Sequence, residues 1–283
     1  MSGLRWLRSS RTVAGLVLVG AILLAALLAP WLAPHDPDEQ NLLTTLLPAS
    51  WQPGGDPSYL LGTDGLGRDV LSRLLYGGRV AMTVALTASL GAMAIGAVMA
   101  WVAGYLGGWA DWLIGRTVDV WMSFPPVVLA LILMTGLGTG ERNVILAIIL
   151  VDWTRFCRVL RAEVLVVTRR DYVAAARLVG FSHWRTLTRE VIPATLPLLV
   201  TLLSLEMGVA VVVEAILSFV GLGVRSDQIA WGQMIADGRE AIYQAPANLL
   251  APVAAIFLTV AGFNLLGDGL RRRLDLGLAE SRE

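Results

Sequence analysis

The sequence predicts an all-α polytopic membrane protein. Of its 283 residues, 56% are hydrophobic and only 16% are charged, which is too apolar for a soluble domain of this size. Six apolar stretches are each long enough to cross a hydrocarbon core about 30 Å thick as a helix. Polar or basic segments separate these stretches, so we expect six transmembrane helices.

The charged residues exclude several function classes. The formal net charge is zero, so no overall basic field attracts nucleic acid. All basic residues are arginine, and a phosphate-binding loop of the GxxxxGKS/T type requires a lysine, so the chain lacks that nucleotide site. One cysteine, Cys157, and two histidines, His35 and His183, form no His/Cys metal cluster. We therefore expect no cofactor or metal in this chain, and a buried, structural Cys157.

The first predicted span runs from Thr12 to about Ala33 and is preceded by three arginines that favour a cytoplasmic amino terminus. Its apolar part is too long for a signal peptide, so we expect a retained helix. The proline-rich segment from Pro34 to about Tyr76 predicts an external loop without long helices. Residues 1–77 thus form an N-terminal region with one helix and one extracytoplasmic loop. The three arginines are Arg5, Arg8 and Arg11.

The end of this loop combines a glycine-rich turn with the start of an amphipathic helix. Its sequence is LGTDGLGRDVLSRLLYGGR, from Leu61 to Arg79. Asp69 and Arg73 have the i, i+4 spacing of a helical ion pair. A merely structural turn is an equal alternative to a functional one.

Five further spans make up residues 78–268, the predicted main transmembrane domain. Small residues on the second span, Gly91, Gly96 and Gly104, predict close helix packing. Pro125 and Pro126 interrupt the third span and predict a kink, which lies beside a pathway or serves packing alone. The five spans are expected at about 80–103, 117–137, 143–159, 195–219 and 249–266.

Three acidic residues fall within predicted spans. Glu206 lies roughly 20 Å along the fifth span, where an acid suggests either a translocation pathway or a buried partner that fixes packing. Glu214 lies two turns further out; we expect a structural ion pair or cap there and keep it as a pathway candidate with Glu206, Pro125 and Pro126. Asp152 is expected to pair with Arg155 at i, i+3.

An intramembrane enzyme is a remote alternative. Catalysis requires converging groups, and no histidine or nucleophile accompanies the intramembrane acids at a motif spacing. We therefore expect a non-catalytic chain.

The segment from Asp171 to Pro193, DYVAAARLVGFSHWRTLTREVIP, predicts two short helices with a hinge at Gly180. Asp171 is expected to cap the first helix and Ser182 the second, and Gly180 to adopt the left-handed conformation between them. Pro193 suits the first turn of the next span. The alanines leave one side of the first helix flat enough for another protein; a loop helix packed within its own chain is an equal alternative. These alanines are Ala174, Ala175 and Ala176.

Arginines surround this segment and favour its cytoplasmic location under the positive-inside rule. Residues 269–283, with Arg271, Arg272 and Arg273, are likewise expected to form a cytoplasmic tail, so both termini lie inside. The surrounding arginines are Arg158, Arg161, Arg169, Arg170, Arg177, Arg185 and Arg189.

Several spaced motifs resemble one known family. DYVAAA at 171–176, followed by Gly180 and by Pro193, is similar to the EAA signature of bacterial ABC-importer permeases. The glycine-rich motif at 61–79 and three later motifs resemble the C-type permease subunit of dipeptide, oligopeptide and nickel importers. The resemblance extends over nearly the whole chain from Pro34. The three later motifs are EAILSFVGLG at 214–223, WGQMIADGR at 231–239 and FNLLGDGLRRRLD at 263–275.

The resemblance implies a type I ABC importer permease fold in which coupling helices at 171–190 dock onto a cytoplasmic ATPase. Ala174 replaces the glutamate usual in the signature, so docking is expected through Ala175, Gly180 and apolar neighbours such as Val179 and Phe181. The implied coupling residues are Asp171, Tyr172, Ala174, Ala175, Ala176, Gly180, Phe181 and Pro193.

The resemblance also implies the function and the partners. The chain is expected to move dipeptides or oligopeptides across the bacterial inner membrane by alternating access; nickel, glutathione or another small solute is the alternative cargo. Expected partners are a second, homologous permease in a heterodimer, two ATPase subunits that hold ATP and magnesium, an extracytoplasmic substrate-binding protein and membrane lipid.

Overall fold

A computed structural model describes residues 10–225 and 227–280. These residues form helices and no strand, apart from one isolated antiparallel bridge between Thr63 and Asp69, which confirms the all-α class. The arginines Arg5, Arg8 and Arg282 lie outside the described residues. The helices are α1 (Ser10–Leu27), α2 (Ala29–Leu32), α3 (Val70–Leu106), α4 (Gly108–Met122), α5 (Pro126–Leu137), α6 (Glu141–Val167), α7 (Asp171–Leu178), α8 (His183–Thr186), α9 (Ile192–Phe219), α10 (Trp231–Glu240) and α11 (Ala247–Glu280).

Among residues 10–225 and 227–280, four helical segments are long and apolar enough to cross a membrane. A fifth is added if the bent pair α4–α5 counts as one span. The predicted fourth span lies within α6, where Asp152, Arg155 and Arg158 interrupt the apolar stretch. The expected count of six spans therefore stays a prediction. The four segments are Ser10–Leu27, Val70–Leu106, His183–Phe219 and Ala247–Arg271.

Helix α3 begins at the glycine-rich motif, but with different side-chain pairs from those expected. Asp69 accepts hydrogen bonds from the backbone N–H of Ser72 at 2.8 Å and from its hydroxyl at 2.5 Å. Because the Asp69 carboxylate is held at the helix start, Arg73 pairs instead with Asp64, whose Oδ2 lies 3.6 Å from Nε. The predicted Asp69–Arg73 ion pair is therefore wrong.

The small-residue face of α3 packs against α6, as predicted. A Cβ on Gly96 would lie 2.5 Å from the Cβ of Phe156, and one on Gly104 would lie 2.7 Å from Cγ1 of Val164. Cys157 is buried in the same interface, which confirms that prediction too. Since the two backbones approach this closely, α3 and α6 form the rigid centre of the bundle.

The third predicted span is broken rather than gently kinked. Helices α4 and α5 meet at 87°. Ser123 ends α4, Pro125 is extended with ψ 125°, and Pro126 occupies the first turn of α5. A proline pair removes two backbone donors, so the helical ladder cannot continue through this point. The indole N–H of Trp121 donates to the Leu150 carbonyl at 2.6 Å and holds the end of α4 against α6.

The loop expected at 221–247 contains helix α10. The indole N–H of Trp231 donates to the Leu74 carbonyl at 2.9 Å, so α10 is attached to α3. The side-chain amide of Asn248 donates to the Thr63 carbonyl at 3.0 Å. The glycine-rich motif, α10 and the start of α11 therefore pack together at one end of the bundle. At its other end α11 continues as a helix to Glu280, through most of the expected tail.

Candidate functional site

The segment 171–190, called the hinged segment below, contains the predicted pair of short helices. The backbone N–H of Phe181 donates to the Ala176 carbonyl at 3.1 Å, and that of Gly180 to the Arg177 carbonyl at 3.0 Å. Gly180 has φ +94°, a conformation that side chains with a Cβ rarely adopt. These features define a Schellman motif that ends α7. The predicted hinge is confirmed.

The two helix starts in the hinged segment differ in how well the sequence predicted them. Ser182 caps α8 and accepts the Arg185 backbone N–H at 3.3 Å, as expected. The predicted cap at Asp171 is wrong, because the N–H groups of Val173 and Ala174 bond to the carbonyl of Arg170. The helix therefore starts one residue earlier, and Asp171 occupies its first helical position, where its charge still favours the positive end of the dipole.

Few contacts join the hinged segment to the bundle. Val173 is fully buried in the core formed by α3, α6 and α9. The hydroxyl of Tyr105, at the end of α3, donates to the His183 carbonyl at 3.0 Å, and the guanidinium of Arg177 lies 5.4 Å from the Tyr105 ring centre. Partial burial raises the pKa of Tyr172, so its phenol stays protonated at neutral pH. These contacts leave most of the segment facing outward.

The outward side of the hinged segment includes three large apolar side chains among charged and polar ones. Leu178, Val179 and Trp184 are 89%, 81% and 73% exposed. Ala174 and Ala175 are also exposed, whereas Ala176 is half-buried. Phe181 is half-buried beneath the guanidinium of Arg185, 4.1 Å from its ring centre. Exposed large apolar side chains grouped in this way mark an interaction surface.

A continuous helix joins the hinged segment to the bundle interior. Helix α8, a π-helical turn at Leu187–Val191 and α9 together run from His183 to Phe219, 37 residues. At 1.5 Å per residue this is about 55 Å, well beyond a hydrocarbon core about 30 Å thick. Pro193 lies in the first turn of α9, as predicted. This helix therefore connects α8 directly to the part of α9 that contains Glu206.

Glu206 lies in a charged cluster between α6 and α9. Its Oε1 is 3.5 Å from a terminal nitrogen of Arg155, whose Nε is 3.9 Å from Oδ1 of Asp152. The predicted Asp152–Arg155 pair is confirmed. Arg155 also lies close to Glu206, a contact that the sequence did not predict. Both carboxylates are buried, whereas the Arg155 side chain is 39% exposed. The cluster joins two helices that the sequence places about 50 residues apart.

A cavity of ≈ 300 Å³ adjoins this cluster, and we call it the arginine cavity. Its position brings Glu206 close to the helix break, because Met122 is the last residue of α4. Pro125 and Pro126 lie three and four residues further along the chain and are not among the residues that line the cavity. Its lining residues are Met122, Arg155, Phe156, Arg158, Val159, Leu202, Leu205, Glu206 and Val209.

Glu214 lies elsewhere and does not line the arginine cavity. It is completely buried and accepts a hydrogen bond from the Ser218 hydroxyl at 2.6 Å, one turn along α9. The described residues provide no ion pair to it, so the predicted ion pair or cap is wrong. The hydrogen bond within its own helix satisfies Oε1, whereas Oε2 is buried with no hydrogen-bond partner among the described residues.

The arginines of α6 were missed as site residues. Arg155 was treated only as a partner of Asp152, and Arg158 only as a topology marker. Arg158 pairs with Asp119 of α4 at 2.7 Å and lines the arginine cavity. Two arginines at i and i+3 in an otherwise apolar run place two cations on one helix face, and that spacing was the available signal.

A bundle of long apolar helices with a broken span, and a hinged segment that one continuous helix joins to the bundle, are typical of a membrane transport permease. Residues 92–280 match the family described as binding-protein-dependent transport system inner membrane component. Residues 4–49 match the N-terminal transmembrane domain of oligopeptide transport permease C. The chain belongs to this family and is a C-type permease subunit of an ABC importer.

Three similar proteins are named for different transported substrates. The dipeptide transport system permease DppC of Alkalihalophilus pseudofirmus is 33% identical over 95% of this chain and 86% of its own length. The probable D,D-dipeptide permease DdpC of Escherichia coli is 38% identical over 94% of this chain and 88% of its length. The nickel permease NikC of Escherichia coli is 36% identical over 92% of both chains. Members of the family are inner-membrane transport components rather than catalytic subunits.

Proposed function

We propose that this chain moves dipeptides or oligopeptides inward by alternating access, as one half of a permease heterodimer. Two cytoplasmic ATPase subunits bind ATP and magnesium and drive the cycle. An extracytoplasmic binding protein delivers the peptide at the end of the bundle formed by the glycine-rich motif and α10. Both termini of the chain lie in the cytoplasm, on the same side as the hinged segment.

The observation that carries this proposal is the exposed apolar surface of the hinged segment. Gly180 forms a left-handed turn between the two short helices. The large apolar side chains exposed on either side of this turn are those of Leu178, Val179 and Trp184. A partner that buries them gains on the order of 1.5 to 3 kcal/mol for each side chain fully removed from water. Docking therefore requires no carboxylate at Ala174, the position at which the family signature usually has glutamate.

The continuous helix supplies the connection to the pathway. From Trp184 to Glu206 the axial distance is roughly 33 Å at 1.5 Å per residue. When the ATPases close on ATP, α8 moves with them, and the shift reaches the contact between α6 and α9. The permease thus behaves as a two-state element whose equilibrium the nucleotide state of its partners biases.

The peptide assignment is supported by relatives that are named as dipeptide permeases. The nickel permease and a glutathione permease of Pectobacterium atrosepticum, 35% identical over 96% of this chain, keep the alternative cargo open to test. Uptake assays with the complete importer in proteoliposomes compare a dipeptide, glutathione and Ni²⁺. Accumulation of the dipeptide above the other two supports the proposal, and accumulation of Ni²⁺ alone contradicts it.

Co-purification tests the docking role. Tagged chain is expected to bring down its ATPase subunits, and the double substitution Leu178→Ser with Val179→Ser is expected to reduce their yield at least fivefold. The matched control is Leu42→Ser with Leu43→Ser, two exposed leucines in the external loop. Equal ATPase recovery from both variants would contradict docking through this surface.

A further inference from the structure

The arginine cavity contains two cations in a stretch of helix predicted to lie in the membrane. Arg155 and Arg158 are one turn apart on α6 and both line the cavity. A charged side chain at the centre of a membrane helix costs about 3 kcal/mol and more commonly serves a pathway than packing. The remaining lining is apolar, apart from Glu206, so a ligand here would have both an apolar and a charged part.

Arg155 is only loosely held by its own carboxylates. Its distances to Glu206 and Asp152, 3.5 and 3.9 Å, exceed the roughly 2.8 Å of a charge-assisted hydrogen bond. Oε1 of Glu206 has no hydrogen-bond partner among the described residues. Glu206 lines the cavity beside Arg155 whereas Asp152 does not, and the Arg155 side chain is 39% exposed. Its N–H groups are therefore available to a ligand without the loss of a short ion pair.

Arg155 is the cation of this cavity that has no short ion pair, because Arg158 is already paired with an acid of α4. The lining contributes two guanidinium groups and one carboxylate. Asp119, which pairs with Arg158 at 2.7 Å, and Asp152 do not belong to the lining. A guanidinium matches a carboxylate through two parallel hydrogen bonds, a geometry that neither a neutral amide nor a metal cation can use.

We propose that Arg155 binds the C-terminal carboxylate of the transported peptide as it passes the arginine cavity. This proposal rests on the proposed function and gives it a substrate class, namely amphipathic solutes that end in a free carboxylate. Met122, Leu202 and Leu205 contact the apolar side chains of the peptide, while Arg158 stays paired with Asp119. Because Glu206 lies on α9, movement of that helix changes the Arg155–Glu206 distance and so the hold on the ligand.

The test compares a free-acid dipeptide with its C-terminally amidated analogue. Uptake is measured in proteoliposomes that contain the complete importer, with binding protein and peptide in excess. The binding protein is identical in every sample, so its own preference cancels when a variant is compared with the unmodified chain. Arg155→Gln is expected to lower uptake of the free acid about tenfold, equivalent to roughly 1.4 kcal/mol, and to change uptake of the amide less than twofold.

Two further variants separate carboxylate binding from a structural role. Arg161→Gln removes another α6 arginine, one that pairs with Asp111 outside the cavity, and is expected to leave the free-acid to amide ratio unchanged. If Arg155→Gln does not insert, Arg155→Lys keeps the charge without the planar fork and is expected to lower the ratio about threefold. An equal loss for both peptides in the inserted Arg155 variant overturns the proposal. If the unmodified importer takes up neither peptide, the proposed function fails and this proposal with it.

Discussion

The hinged segment and the arginine cavity, the two candidate functional regions of the chain, are assembled in opposite ways. The hinged segment is contiguous, exposed and attached to the bundle by few contacts, chiefly those of Val173 and Tyr105. The cavity is assembled from α4, α6 and α9, and its acids are buried. A surface that docks a protein is built from local backbone geometry, whereas a site for a small solute requires distant residues to converge. The predictions below separate these two designs.

The largest effect is expected at the hinge. Gly180→Val places a β-branched residue at φ +94°, which costs on the order of 1 to 2 kcal/mol and tilts the docking surface. No atom lies within 4 Å of the added Cβ, so insertion and folding should persist. ATP-driven uptake should fall more than tenfold in the proteoliposome assay.

Gly138 is the matched control for this substitution. Its φ is +80° and its added Cβ also meets no atom within 4 Å, but it lies between α5 and α6. Gly138→Val should retain ATPase binding. Full uptake by the Gly180 variant would mean that the hinge is misinterpreted.

A smaller but more selective effect is expected in the arginine cavity. Glu206→Gln removes a negative charge that faces Arg155, so the guanidinium should bind anionic peptide more strongly and release it more slowly. We expect a severalfold change in uptake together with an altered preference between peptides, measured by competition. Unchanged transport and unchanged preference would remove Glu206 from the pathway.

Glu214→Gln provides the contrast on the same helix. Glu214 contacts Ser218 and not the cavity, so the substitution should alter thermal stability and leave substrate preference unchanged. A shift in preference as large as that of Glu206→Gln would show that the cavity does not define the pathway.

The rigid α3–α6 interface lies beside both regions and should respond only through stability. Gly96→Ala forces a Cβ against Phe156 and the Cys157 backbone, and such overpacking costs about 1 to 3 kcal/mol. The melting temperature of the detergent-purified chain should fall. Gly115→Ala, in α4 with no atom within 4 Å, should leave it unchanged or raise it slightly.

The smallest effect is expected at Ala174. It is exposed on α7, so Ala174→Glu restores the carboxylate of the family signature without steric cost. Uptake should stay within about twofold of the unmodified chain. A large loss would mean that the docking surface is matched to a partner that excludes a charge there.

The sequence predicted the hinged segment better than the cavity, for a physical reason. Glycine at 180 and serine at 182 have local conformational preferences that act whatever the rest of the chain does. Asp171 was wrongly predicted as the cap because α7 starts one residue earlier than expected. The Arg170 carbonyl accepts the first backbone hydrogen bonds of the helix. The same limit applies to Asp69, whose carboxylate caps α3 instead of pairing with Arg73.

The arginine cavity could be predicted only in part. Glu206 and the proline pair stand out because an acid or a broken helix inside the membrane is costly. The contact of Glu206 with Arg155 depends on how α6 and α9 pack, and no local pattern encodes that packing. Glu214 and Ser218 have the i, i+4 spacing of neighbours on one helix, so their hydrogen bond was open to prediction, whereas the complete burial of Glu214 was not.

The central claim is that the exposed face of the hinged segment is the contact with the ATPase, and site-specific cross-linking tests it most directly. A photoreactive amino acid in place of Val179 should cross-link to an ATPase subunit in the assembled, active importer. The same amino acid in place of Leu43, which is 95% exposed in the external loop, should not. An active complex in which position 179 forms no ATPase cross-link, while a position elsewhere on the chain does, would contradict the account.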